Sequence, residues 1–349
     1  TLVQVGGDLT GVVSLDDNDG TVTLEMTGDN TTIGQTVNSV GGDNEAILKL
    51  SGTGTTVSSA VGKASNGSFQ AIDIDGTATF DGASEAAAYT VDADTTFTGA
   101  VLANTSFTVD SSAAITLSAA SDLSLATMTT GTLTADALLT TSDLINTAGK
   151  VYLEVKNNEM GAGRYAAASG AELHVGEALV SGDTIYLGDD ANGGATDFHA
   201  SSKIYMPSNF SGGETLIMTD AGAWDATSGD ASTAATAITV TLQDNALVSY
   251  AAAADVGDTD IVITATDKSS DVIASGLGIT DNNATATLQL MAAMDSNDTT
   301  GDTAAYTAYD NALNARGFSA NEDTTFINQV SPQTDLISGS SVAAQGVTG

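Results

Sequence analysis

The phrases "TIGQTVNSVGGDNEAILKLSG" (Thr32–Gly52) and "TVSSAVGKASNGSFQAIDIDG" (Thr56–Gly76) decide the fold, because they are one pattern spelled twice. The offset is 24 residues, and at that offset Ile33 meets Val57, Leu48 meets Ile72, Leu50 meets Ile74 and Gly52 meets Gly76. Two apolar residues separated by a polar one and followed by glycine describe a short, half-buried strand running into a turn. So small a unit cannot bury its own apolar side. Copies stacked about 4.8 Å apart bury a continuous column instead.

Further along the chain the pattern tightens. The pairs Ile72/Ile74, Tyr89/Val91, Phe107/Val109 and Leu123/Leu125 follow one another at steps of 17, 18 and 16 residues. A second series, "TATF", "TTFTG", "AITLS" and "GTLTA", trails the first by a few residues. Two or three very short strands in every 17–24 residues or so is the period of a β-solenoid coil. Threonine at the alternate positions suits an outer face, being β-branched yet polar. Looser alternation continues in "KVYLEV" (Lys150–Val155), "AELHVG" (Ala171–Gly176), "DTIYLG" (Asp183–Gly188), "SKIYMP" (Ser202–Pro207) and "ETLIMT" (Glu214–Thr219). "AITVTL", "NALVSY" and "DIVITAT" extend it to residue 266, the last two flanking a hairpin-like "AAAADVGDT".

After Asp267 the spacing becomes helical. Ala305, Tyr306, Tyr309 and Leu313 share one helix face, with Asp302 placed to cap it and Gly317 to stop it. The expected class is therefore all-β, an elongated β-solenoid (a right-handed β-helix) with a small α-helical C-terminal region. Residues 1–266 form its rungs, regular to about residue 149 and looser over 150–266. Residues 267–349 form a helical cap and linker. Such a cap covers backbone edges that a terminal rung would expose.

Composition agrees. Across 349 residues, apolar types reach 42% but aromatics only 5%, which suits a thin repetitive core. Acidic residues number 44 against 8 basic ones, for a formal net charge of −36. That field disfavours nucleic acid and anionic membrane surfaces and attracts divalent cations. With no cysteine, disulfides and thiolate metal sites are excluded.

Little of the chain points to catalysis, and the expectation is that it is not an enzyme. His174 alternates with Leu173 and Val175 and so faces outward from a strand, while His199 lies in the loop "TDFHASS". No Gly-x-Ser-x-Gly elbow or His-Glu-x-x-His occurs. The pairs Asp73/Asp75 and Asp92/Asp94 each put two carboxylates on one strand face, the geometry of a glycosidase pair. Enzymes acting on acidic polysaccharides also use Arg or Lys, and the only arginines are Arg164 and Arg316. Trp224 reads as a loop residue tucked beneath its own loop. Calcium is the better chemical candidate, because acidic turns with glycine supply the oxygens it prefers. The candidate ligands are Asp16, Asp17 and Asp19; Asp189, Asp190 and Asp197; Asp255, Asp258 and Asp260; and Asp295, Asp298 and Asp302. None of these clusters has EF-hand spacing.

The rung phrase "IDIDGTATFDG", the stretch "IYLGDDANGGATDFHASSKIYMPSNFSGGETLIMTDAGA" and the tail "AYDNALNARGFSANEDTTFINQVSPQTD" resemble the passenger region of bacterial autotransporters (type V secretion). That resemblance implies a β-solenoid passenger, a short helical segment and then a C-terminal outer-membrane β-barrel, and no barrel sequence follows Gly349 here. It also implies an extracellular place on the bacterial cell surface and a structural or adhesive role. Partners would be cell-surface or extracellular polymers, or other copies of the chain. Two alternatives stay open: a filament or surface-layer subunit docking head to tail through the rung near "QVGGDLTGVVSL", and a polysaccharide-active enzyme.

Overall fold

The computed structural model describes residues 1–16, 20–40, 45–62, 68–154, 164–176, 180–186, 197–198, 202–206, 210, 212–219, 241–244, 248–254, 261–269 and 272. Strands dominate these residues, and they wind into a parallel β-solenoid.

Among the described residues, the chain runs along three faces of the coil in sequence. The first sheet stacks Leu2–Val5, Val22–Met26, Ala46–Leu50, Phe69–Ile74, Ser84–Val91, Val101–Val109, Leu125–Met128, Asp143–Asn146, Arg164–Ala167 and Asp197–Phe198. The second sheet has ten strands: Thr32–Ile33, Thr55–Val57, Ala78–Phe80, Thr95–Phe97, Ala114–Leu117, Thr132–Ala135, Lys150–Leu153, Glu172–Val175, Lys203–Tyr205 and Thr241–Gln243. A narrower third face begins where Val13–Asp16 pairs with Val37–Val40. It continues through single bridges from Val37 to Val61 and from Val61 to Ser84, then through Ser84↔Val101 and Ala103↔Leu123. Strands Ser84–Val91 and Val101–Val109 are long because each rounds the corner from the third face to the first, with a register shift between Ala86 and Ala88.

The repeat in the opening phrases is the pairing register itself. Ile33 pairs with Val57, Leu48 with Ile72 and Leu50 with Ile74. Alternation then does the sorting, since successive side chains on a strand point to opposite faces. One inward column runs Leu24, Leu48, Ile72, Tyr89, Phe107, Ala126, Leu144, Tyr165, and all are buried. Across from it the second sheet contributes Ile33, Val57, Phe80, Phe97, Leu117, Ala135, Leu153 and Val175, also buried. Where the two columns carry rings, Phe80 stacks on Phe97 at 4.8 Å and Tyr89 lies 5.5 Å from Phe107.

One expected pairing differs. Phe107 is followed in the first sheet by Ala126, and Val109 by Met128. Leu123 pairs instead with Ala103 on the third face. The reason is the corner: the phrase "SDLSLATM" turns within itself, so Leu123 and Leu125 lie on different faces of the coil, their strands paired with different ends of Val101–Val109. Strand Arg164–Ala167, which pairs with Asp143–Asn146, carries too little alternation to be read from sequence.

Two further devices hold the turns. At the corner after the first sheet, Gly28, Gly52 and Gly76 stack so closely that a Cβ on Gly52 would collide with the carbonyl of Gly28, and one on Gly76 with that of Gly52. Only glycine allows that backbone approach. Inside the later rungs, Asn146 replaces an apolar residue in the column that holds Met128. Its Nδ2 donates to the Gly149 carbonyl (3.0 Å), the Tyr165 hydroxyl (3.1 Å) and the Glu172 carbonyl (3.3 Å), and its Oδ1 accepts from the Gly149 N–H (2.8 Å). A fully buried amide is thus satisfied on both sides.

The chain divides into two compact units. The first comprises Thr1–Pro207, Leu216–Leu242 and Ala252–Ile263 and holds the three sheets. The second comprises Ser208–Thr215, Gln243–Ala251 and Thr264–Gly349. Within the second, the Gly213 N–H donates to the Ala265 carbonyl (3.0 Å), and Lys268 pairs with Asp244 (3.3 Å). The Asp302 cap, the Gly317 stop and residues 255–259 of the "AAAADVGDT" turn lie outside the described residues, as do the expected helices beyond Asp267 apart from Lys268, Ser269 and Val272, the last of them helical.

Candidate functional site

The outer face of the second sheet changes character over three rungs. Thr132 and Thr134 face outward in one rung, Lys150 and Tyr152 in the next, then Glu172 and His174, then Lys203 and Tyr205. Their alternate neighbours Val151, Leu173 and Ile204 are buried, which fixes the outward direction of the rest. Parallel pairing places Tyr152 opposite His174, and His174 opposite Tyr205. The three rings stack. The imidazole centroid is 4.1 Å from the Tyr152 ring with the planes 17° apart, and 4.2 Å from the Tyr205 ring with the planes 2° apart. These separations are shorter than the roughly 4.8 Å between strands, so the side chains lean together.

Glu172 ties the stack to its flank. The Oε2 atom lies 3.1 Å from His174 Nε2 and 3.2 Å from Lys150 Nζ, and Oε1 accepts from the Tyr205 hydroxyl at 3.5 Å. Burial alone would raise the Glu172 carboxyl, but the bonds from His174 and Lys150 outweigh it and hold the group below its usual range. For His174, burial between the rings disfavours the charged form and lowers the imidazole, while Glu172 pulls it partly back. Lys150 is held above its usual range, first by its hydrogen bond to Glu172. Burial likewise raises the Tyr152 hydroxyl.

A second polar cluster lies on the outer face of the first sheet. Lys49 Nζ sits between Asp73 Oδ2 (2.6 Å) and Asp75 Oδ2 (2.7 Å). One rung earlier, Glu25 accepts from Gln4 and Ser51, at 2.7 Å each. Asp92 is raised, by burial first and then by Asp75, Asp110 and Asp73. Elsewhere aspartates link one rung to the next at the corners. Asp8 accepts from the Thr32 N–H (2.8 Å), Asp29 from the N–H and hydroxyl of Thr53 (2.9 and 2.8 Å) and Asp94 from the Ala114 N–H (2.8 Å). A wealth of aspartate in this chain is thus partly architectural: a short carboxylate caps the edge of the next turn.

The sequence-predicted residues fall as follows. His174 faces outward, as its alternation implies, but is half-buried between rings. Asp73 and Asp75 share a face, and Lys49 bridges them. Asp16 ends a strand opposite Val40. Asp197 stands in a two-residue strand paired at Ala166. Asp17, Asp19, Asp189, Asp190, Asp255, Asp258, Asp260, Asp295, Asp298 and Asp302 lie outside the described residues, as do His199 and Trp224. Among the described residues no group of three or more His, Asp or Glu is arranged to hold a metal ion. Sequence reading missed the stack itself. Its signal was present, since Tyr152, His174 and Tyr205 occupy the same outward place in "KVYLEV", "AELHVG" and "SKIYMP". Unequal steps of 22 and 31 residues from one to the next hid the register.

What the fold and these clusters define is a parallel β-solenoid with ordered polar and aromatic ladders on its outer faces. No family model, no curated protein and no solved structure matches the chain.

Proposed function

We propose that this chain acts outside a bacterial cell as a surface β-solenoid with a structural or adhesive role, in the manner of an autotransporter passenger. The observation that carries the reading is the in-register stacking of three parallel sheets, which repeats outward Thr, Asp, Lys and Tyr side chains at the rung spacing. A surface of that kind meets an extended polymer at many equivalent points, so weak contacts add. Calcium held by the Asp-rich turns is part of the same reading. The −36 charge keeps such a molecule soluble and away from nucleic acid.

The test combines imaging with binding. The purified full chain is examined by negative-stain microscopy with and without EDTA, and pelleted with whole cells and with extracellular polymers. Discrete particles that co-pellet with a surface polymer are expected. Long fibres would replace this reading with that of a filament subunit, and fibres lost on chelation would assign the assembly to calcium. Turnover of a neutral glycan, abolished by Asp73→Asn or Asp92→Asn, would replace it with an enzyme.

A further inference from the structure

The Tyr152–His174–Tyr205 stack joins three successive rungs through one imidazole ring. Its surroundings are unusual in so acidic a chain. From the preceding strand come Tyr152, with Lys150 beside it and Glu154 beyond. The following strand brings Tyr205 and Lys203, and the ring's own strand brings Glu172. Lys203, in register with Glu172, forms no ion pair among the described residues. Lys150 is the ammonium held on Glu172, and that carboxylate also accepts from His174 and Tyr205.

We propose that His174 is an acid-sensitive latch: neutral, it holds the rungs of residues 150–153, 172–175 and 203–205 together, and protonated, it loosens them. The neutral ring needs one donor bond, Nε2–H to Glu172. A second proton must go to Nδ1, which has no partner among the described residues. It also places a new positive charge in a ring whose side chain is 19% exposed, beside a Glu172 carboxylate that already holds the Lys150 ammonium. Attraction of an imidazolium to two tyrosine faces opposes this. Burial and the neighbouring lysine win, which is the direction of the His174 shift.

The linkage has a definite sign. A histidine whose folded value lies below its ordinary value of about 6.5 binds its proton more weakly when folded. Its contribution to stability is whole above that ordinary value and is lost as pH falls below it. The proposal does not depend on the functional reading above.

The test uses the full chain. The His174 ring is titrated by NMR, and amide hydrogen exchange, corrected for its intrinsic pH dependence, is followed at pH 7.5 and pH 5. Thermal midpoints of the wild type and of His174→Gln are compared at both values. Expected are a His174 midpoint below 6.5, at least tenfold faster corrected exchange in the three strands at pH 5, unchanged exchange in Thr55–Val57, and a wild-type midpoint that falls relative to the variant. Lys150→Gln raises the His174 midpoint. A midpoint at or above 6.5, or equal pH dependence in wild type and variant, overturns the proposal. Should His174→Gln fail to fold, the wild-type titration and exchange decide alone.

Discussion

Two aromatic ladders run through the described residues, one inside and one outside, and the same parallel register builds both. Inside, Phe80 stacks on Phe97, with Tyr89 and Phe107 facing them across the coil. Outside, Tyr152, His174 and Tyr205 stack at closer spacing. Register alone brings like residues together on successive rungs; burial decides what the contact is worth. The inner rings are 0–1% exposed, so their contribution is mainly area removed from water. The outer rings keep an edge in solvent and gather charges, so their contribution is smaller and depends on pH. Stability should therefore concentrate in the inner ladder, and sensitivity to conditions in the outer one.

The most severe break of that comparison is Phe97→Ala. Phe97 is fully buried and touches Phe80, Tyr89 and Phe107, so its loss leaves a cavity between both sheets. A cost of about 3–5 kcal/mol is expected, read as a shift of the denaturation midpoint at unchanged slope. A loss below about 1 kcal/mol would mean that the inner ladder is not what holds the rungs.

Next comes the place where the inner column turns polar. Asn146→Leu restores an apolar residue beside Met128 but strands the Gly149 N–H and removes the amide from the Tyr165 hydroxyl. An unsatisfied buried group costs about 1–3 kcal/mol, so the variant should be less stable although more hydrophobic. Equal or higher stability would show that area outweighs satisfaction here. Tyr205→Ala, on the outer ladder, should cost only about 0.5–1.5 kcal/mol for the lost stacking, and should weaken protection in Glu172–Val175 rather than in Ala78–Phe80. Hydrogen exchange separates the two regions.

The inner ladder was the more legible of the two. In the phrases Thr32–Gly52 and Thr56–Gly76 the loops are equal in length, so aligning the sequence is the same act as pairing the strands. Glycine supplied a second marker, because Gly28, Gly52 and Gly76 must all stack without a Cβ. Legibility fails where a turn sits inside a strand-like phrase, as at Leu123 and Leu125, because alternation does not say which face of the coil a residue joins. It fails again where loops differ in length, as between Tyr152, His174 and Tyr205, since the period disappears while the register persists. Arg164–Ala167 went unread because the two alanines after Tyr165 carry no alternation of polarity. For the site, an outward histidine was readable; the rings that enclose it were not, being neighbours in space only.

The smallest expected effect tests whether the outer charges of the first sheet belong with the outer ladder. Lys49→Met removes the ammonium held between Asp73 and Asp75. The side chains of Lys49 and Asp73 are 29% exposed and that of Asp75 42%, so solvent screens the pair and the loss should stay below about 1 kcal/mol. What identifies it is its dependence on conditions. Without Lys49, the carboxylates of Asp73, Asp75, Asp92 and Asp110 face one another uncompensated. Asp92 is already raised by burial and by those neighbours, against the pull of Lys49. A carboxyl whose folded value lies above its unfolded value binds its proton more tightly when folded, so the folded state gains as pH falls through that range. The Lys49→Met deficit should therefore be largest at neutral pH and low salt, shrink in about 1 M salt, and shrink again toward pH 4. His174 works in the opposite direction over a higher range, where acid weakens the fold. Thermal midpoints measured across pH and salt separate the two: a Lys49→Met deficit that grows on acidification would show that the carboxylate column is not under mutual repulsion.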